Sequence, residues 1–218
     1  CGEGRLAFAL ASRTELTVIG VTADAGEAAR ARAALRRAGI YGTRVTIHHR
    51  PLAKLGHTDN LFNLAVSSEL LHKGTLPGDR AELLRVLRPS GGVLALGGLP
   101  QSSLAKLITG SPLARGTTTE ASGELLLAKR KPLDGAGEWT HTYGTAAQTA
   151  NSGDEIVNGS KMALQWFGKP GARGMIDRQG RNPPPLTSNG FLYVQGDNRI
   201  WGQDAFNGTI LWNYEFPS

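Results

Sequence analysis

The residues best suited to chemistry stand at the start of the chain, where Gly2 and Gly4 immediately precede the apolar run Leu6 to Ala11. Lacking side chains, they let a ligand approach the backbone and the N–H groups that open a helix, which favour negative charge. Gly2, Gly4 and Ala7 also satisfy the Gly-x-Gly-x-x-Gly/Ala spacing of a dinucleotide-binding turn. A tight strand-to-helix turn with no ligand satisfies it equally. His48, His49, His57 and His72 can each take a proton near neutral pH. Their spacing is not that of a metal site, so no metal is expected, and a loop or strand-end role is the simpler reading of each. The single cysteine excludes an internal disulfide and argues against a cysteine-based zinc site.

The elements that must position these residues follow from the hydrophobic period. Arg5 to Ser12 suits a helix, Leu16 to Val21 a strand, Ala25 to Ala38 a helix and Arg44 to His48 a strand. Phe62 to Ser67 reads as another strand, Arg80 to Leu87 as a helix stopped by Pro89, Gly92 to Leu96 as a buried strand and Leu125 to Lys129 as one more. This alternation predicts βαβ units and a parallel sheet. Gly110 to Gly123 is small and polar and reads as a loop or as an insertion near the domain's end, and Arg130 to Gly137 as a linker.

Several segments, in order, resemble class I S-adenosylmethionine (SAM)-dependent methyltransferases over residues 1–99. CGEGRLAFALA resembles the family's first motif, TVIGVTAD its second strand, LFNLAVSSELLH its fourth strand, and LLRVLRPSGGVLALGG the helix and strand that follow. The resemblance implies a Rossmann-like fold, incomplete here because a central strand is expected ahead of Cys1, and it implies SAM as cofactor. Gly2, Gly4, Thr22, Asp24 and Ser67 then become the cofactor-binding candidates. The family's second strand ends in an acid that binds the ribose diol; here Thr22 holds that place and Asp24 follows two residues later, either as a substitute or as the N-cap of the helix at Ala25. The family's adenine-contacting acid falls on Arg50 and Pro51, and the Asp opening its fourth strand is Asn63. No catalytic base is identified.

The last third is built differently. Of the 14 aromatic residues, 11 follow position 132, which divides the chain into an α/β domain over 1–132 and an all-β segment over 133–218. Phe191 to Gln195, Arg199 to Gln203 and Thr209 to Phe216 read as an antiparallel meander, with a Gly-Asp-Asn turn and the Asn207-Gly208 hairpin signal between strands. Trp166 and Phe167 suggest a further strand. Asp204, Ala205, Gly208 and Trp212 give D-A-x-x-G-x-x-x-W, which resembles the repeat of pyrroloquinoline-quinone (PQQ)-like and outer-membrane-assembly β-propellers. The resemblance implies about one propeller blade, cut short at Ser218, with an architectural Trp212 and no visible quinone or calcium ligands. GKPGARGMIDRQGRNPPPL (168–186) reads as an inter-strand loop.

Charge divides as the aromatics do, +8 over 1–132 and −2 over 133–218, within a net +6. The basic residues are scattered along helices with little aromatic company, so a solvated face is expected rather than a nucleic-acid site. No apolar run approaches the roughly 20 residues of a membrane span. The chain carries no readable compartment signal, and bacterial cytoplasm and periplasm both remain open. Three functions follow from these expectations for a longer parent protein, the fragment itself being expected to be inactive: methyl transfer to an unknown small-molecule or protein acceptor, with the propeller binding a protein partner; a non-enzymatic scaffold with a degenerate cofactor domain; or part of a PQQ-dependent oxidoreductase.

Overall fold

The computed structural model describes residues 1–157, 163–169 and 183–217. It divides into two units. The first comprises Cys1–Asp59, Asn63–Leu87 and Gly92–Arg130; the second joins Asn60–Phe62 and Arg88–Gly91 to Lys131–Ser218.

In the first unit, α1 (Arg5–Arg13) leads to β1 (Val18–Thr22), α2 (Ala25–Arg37) and β2 (Val45–His49). β1 and β2 pair in parallel, Val18 opposite Val45 and Thr22 opposite His49. The helices turn their small faces inward: Ala7 and Ala11 of α1 meet Ala28, Ala31 and Leu35 of α2 over Val45 and Ile47. Alanine at those positions lets the helices approach closely, while Arg30, Arg36 and Arg37 of α2 stay outside.

The rest of the unit holds β3 (Leu64–Val66), α3 (Ser68–Lys73), α4 (Arg80–Val86), β4 (Val93–Leu96), α5 (Gln101–Ile108), α6 (Pro112–Gly116), β5 (Thr117–Ser122) and β6 (Leu125–Arg130). Its sheet runs β3-β4-β6-β5, parallel between β3 and β4 and antiparallel thereafter. A second core of Leu70, Leu87, Leu94, Leu96, Leu104, Leu113 and Ala128 lies against it.

Several expectations need correction. Among the described residues the strands of this unit form two ladders, β1-β2 and β3-β4-β6-β5, not one parallel sheet. The 110–123 segment is not a loop: Pro112 opens α6, and Thr117–Ser122 pairs along β6. Its β-branched threonines carry a strand that its small, polar composition conceals. The strand expected to reach Ser67 ends at Val66, because the Ser67 hydroxyl accepts the Leu70 N–H and caps α3.

The second unit carries β7 (Leu186–Ser188), β8 (Phe191–Gly196), β9 (Arg199–Asp204) and β10 (Ile210–Glu215) in an antiparallel meander. The three expected strands form. Asn189-Gly190 and Asp197-Asn198 make the tight turns, with Asn189, Gly190 and Asn198 at positive φ. Trp212 lies against Gly202 of β9, where a side chain would collide with the indole, and its ring is 6.2 Å from that of Tyr193. Trp166 and Phe167 are in no strand; the Trp166 indole instead donates to the Ala205 carbonyl, and Phe167 is exposed. Most of the expected 168–186 loop lies outside the described residues.

Candidate functional site

The glycine turn is built by conformation. Gly2 and Gly4 have φ of +53° and +86°, the left-handed region that glycine enters without a Cβ penalty. Gly4 caps α1 with no side-chain hydrogen bond, and no acidic residue occupies that helix's first turn. The α1 N-terminus therefore keeps its positive end uncompensated. A Cβ at Gly4 would stand 3.2 Å from the Ala31 Cβ, so the turn rests on α2, whereas one at Gly2 would meet nothing within 4 Å.

The carboxyl end of β1 faces the same turn. Thr22 is buried, and its hydroxyl donates to Glu27 Oε2 at 2.7 Å. Asp24 caps α2, its Oδ1 accepting the Glu27 N–H at 2.6 Å, while its own N–H lies 3.4 Å from the Thr22 hydroxyl. Glu3, between the two glycines, pairs with Arg30 of α2 at 3.2 Å. Thr22 and Asp24 thus meet at the start of α2, and Gly4 packs against Ala31 of the same helix. Ser67 stands at the end of β3, in the other ladder of the unit, as the cap of α3.

The histidines separate. His72 is exposed in the last turn of α3. His49 ends β2 with Nε2 3.2 Å from the Ala23 carbonyl, beside Thr22. His48 stacks on His57, ring centroids 5.3 Å apart. Burial pushes both of their pKa values down, and Arg50 acts on each in the same direction. Among the described residues no group of three or more His, Cys, Asp or Glu is arranged to hold a metal. No helix there is long and apolar enough to cross a membrane.

Two features escaped sequence reading. Glu27 is the first, although Asp24-x-x-Glu27 has the spacing of a capping box and was a usable signal. The second is the network behind the 50–59 loop. Arg85 grips Glu82 through two bonds of 2.7 Å and also reaches Asp59 at 2.5 Å and the His57 carbonyl at 2.8 Å. Glu82 in turn accepts the Leu55 N–H at 2.7 Å. The Arg85 guanidinium holds the Glu82 carboxyl down at about 2.

Residues 1–91 of the 218 match a family model described as a methyltransferase domain. No curated protein matches the chain. Among solved structures, it is similar to the [4+2]-cyclase SpnF at 20% identity, over 61% of this chain and 73% of that one, with a TM-score of 0.44. It is similar to a protein from Methanococcus maripaludis assigned to the SAM-dependent methyltransferases, at 18% identity over 61% and 74%, TM-score 0.44. It is also similar to geranyl diphosphate methyltransferase, solved in complex with SAM, at 16% identity over 61% and 75%, TM-score 0.41. The family match supports a Rossmann-like fold of methyltransferase type for the segment that carries the glycine turn.

Proposed function

We propose that the first unit binds SAM against the glycine turn and transfers its methyl group to an acceptor nucleophile. The observation that carries this reading is the turn itself: two left-handed glycines, open space at Gly2 and an unblocked α1 N-terminus beside the carboxyl end of β1. Ligands of open α/β sheets bind at that end of the strands. The residues present fit such a cosubstrate, since Gly2 leaves the space beside the backbone of the turn open. SAM supplies an activated methyl on sulfur; the acceptor's lone pair forms the new bond, the sulfur keeps the electrons of the broken one, and any proton leaves the acceptor. The chain's contribution is to align donor and acceptor, which by itself supplies much of such a rate enhancement.

The antiparallel sheet of the second unit is read as a blade of a PQQ-like propeller that engages a protein partner. The D-A-x-x-G-x-x-x-W spacing and the exposed aromatic residues of β10, Trp212 and Tyr214, support that reading. A non-enzymatic scaffold is favoured by one observation, the burial of Thr22 where a ribose-binding acid is expected. Calorimetric titration of SAM separates the two. Saturable binding that is lost in Gly2→Val, whose side chain enters the open side of the turn, supports the methyltransferase; a folded chain that takes up no SAM is the scaffold.

A further inference from the structure

The outer face of α2 carries a basic groove that cosubstrate binding does not use, and we propose that it docks an acidic peptide segment of a protein partner. The groove belongs wholly to the first unit.

Its lining joins two chemistries. Ala28, Ala31 and Leu35 turn α2 toward the core, which leaves Arg30, Ala33, Ala34 and Arg37 on the other side of the helix. With Glu3 and Arg5 from the start of α1 they enclose a groove of about 330 Å³. Two alanines give it an apolar surface, and three arginines stand against one glutamate. That balance calls for a partner of opposite charge.

The arginines differ in what holds them. Arg30 pairs with Glu3 at 3.2 Å, but both side chains are more than half exposed, so the pair is weak and open to exchange. The Arg5 and Arg37 side chains make no hydrogen bond or ion pair among the described residues. Guanidinium groups with unused donors suit carboxylates, which they take in a two-pronged bond.

Spacing favours a chain of carboxylates over a single anion. Arg30 and Arg37 leave α2 seven residues apart, two turns or about 10 Å along its axis. Carboxylates two to four residues apart on an extended peptide stand about 7–13 Å apart and match that span. A lone phosphate engages both arginines only by drawing the two side chains together. Among the described residues no aromatic lines the groove, so the stacking platform of a single-stranded nucleic acid is missing, and Glu3 repels a phosphate backbone. The alanines instead take the methylene stems of an acidic peptide.

Fluorescence anisotropy of the 218-residue chain with a labelled Glu-Leu-Glu-Glu-Leu-Glu peptide, without SAM, tests the proposal. Binding is expected at about 50 mM salt and weakens toward about 300 mM, and the Gln-Leu-Gln-Gln-Leu-Gln peptide does not bind. Arg37→Gln weakens binding about fivefold, the worth of one exposed charge contact, and Arg5→Gln combined with Arg37→Gln weakens it more than about tenfold. Glu3→Gln removes the competing carboxylate and strengthens it. Arg13→Gln combined with Arg36→Gln removes the same charge from exposed positions outside the groove and leaves affinity nearly unchanged. An equal loss in that control pair overturns the site, because net charge alone then attracts the peptide. The proposal is also overturned by a folded chain that binds no peptide, by weaker binding in Glu3→Gln, or by tighter binding of a ten-residue thymidine oligonucleotide or inorganic pyrophosphate. Each of these outcomes leaves the reading of the glycine turn as a SAM site untouched.

Discussion

Replacing Arg85 by Met tests whether the network behind the 50–59 loop holds that loop in place. Arg85 makes a bidentate contact with Glu82, whose side chain is 11% exposed, while its own is 31% exposed. Fully exposed pairs contribute about 0.2–1 kcal/mol, and breaking a buried pair costs about 3–5 kcal/mol. The intermediate burial places the loss in Arg85→Met at about 2 kcal/mol. Asp59 adds little, being 65% exposed. Urea unfolding at pH 7 of wild type, Arg85→Met, Glu82→Gln and the double variant closes the cycle, with an expected coupling of about 1.5 kcal/mol. The sign with pH follows from Glu82. Its pKa is depressed from 4.5 to about 2, so its contribution is complete above 4.5 and disappears as pH falls toward 2. The gap between wild type and Arg85→Met therefore narrows below pH 4.5. A coupling under 0.5 kcal/mol, or a gap unchanged between pH 7 and pH 3, refutes the reasoning.

Gly4→Ala meets both a left-handed φ and the Ala31 Cβ, so it costs about 1–2 kcal/mol in a thermal melt. Burial pushes the pKa values of His48 and His57 below the unfolded 6.5, so the stability they contribute is present above pH 6.5 and declines as pH falls through the folded values. Between pH 7 and pH 5 the urea midpoint drops in wild type and drops less in His48→Gln. In the second unit, Asp204 is fully buried, with Oδ2 3.1 Å from Arg88 Nε and Oδ1 accepting the Phe206 N–H. Asp204→Asn keeps the turn's hydrogen bond but leaves the guanidinium without its charge partner, a loss of about 3 kcal/mol by urea unfolding that a further Arg88→Met substitution partly restores.

Much of the first unit was legible because its elements change period sharply. The helix of Ala25 to Ala38 and the strands around β1, β2 and β4 follow from composition and from caps such as Asp24. What composition concealed was local override. Ser67 ends β3 by capping α3, and the threonines of 117–119 become a strand by pairing with β6, a partner set by tertiary contact. The glycine turn could be read from spacing alone, since only a residue without Cβ suits φ of +86° over Ala31. Glu27 was hidden for the opposite reason: its carboxylate accepts from the Thr22 hydroxyl across the β1–α2 turn, where sequence spacing shows an ordinary capping box. In the second unit the turn residues announced the meander, while Trp166 misled because an aromatic beside another aromatic suggests a strand. Its indole serves instead as a donor to the Asp204 turn at Ala205.

Amide hydrogen exchange of the 218-residue chain with and without SAM measures the central claim most directly, because it reports where the cosubstrate sits as well as whether it binds. Slowed exchange confined to the glycine turn and the first turn of α1, residues 2–8, and to residues 22–27 is the predicted result. Binding with protection elsewhere, or unchanged exchange throughout a folded chain at saturating SAM, contradicts it.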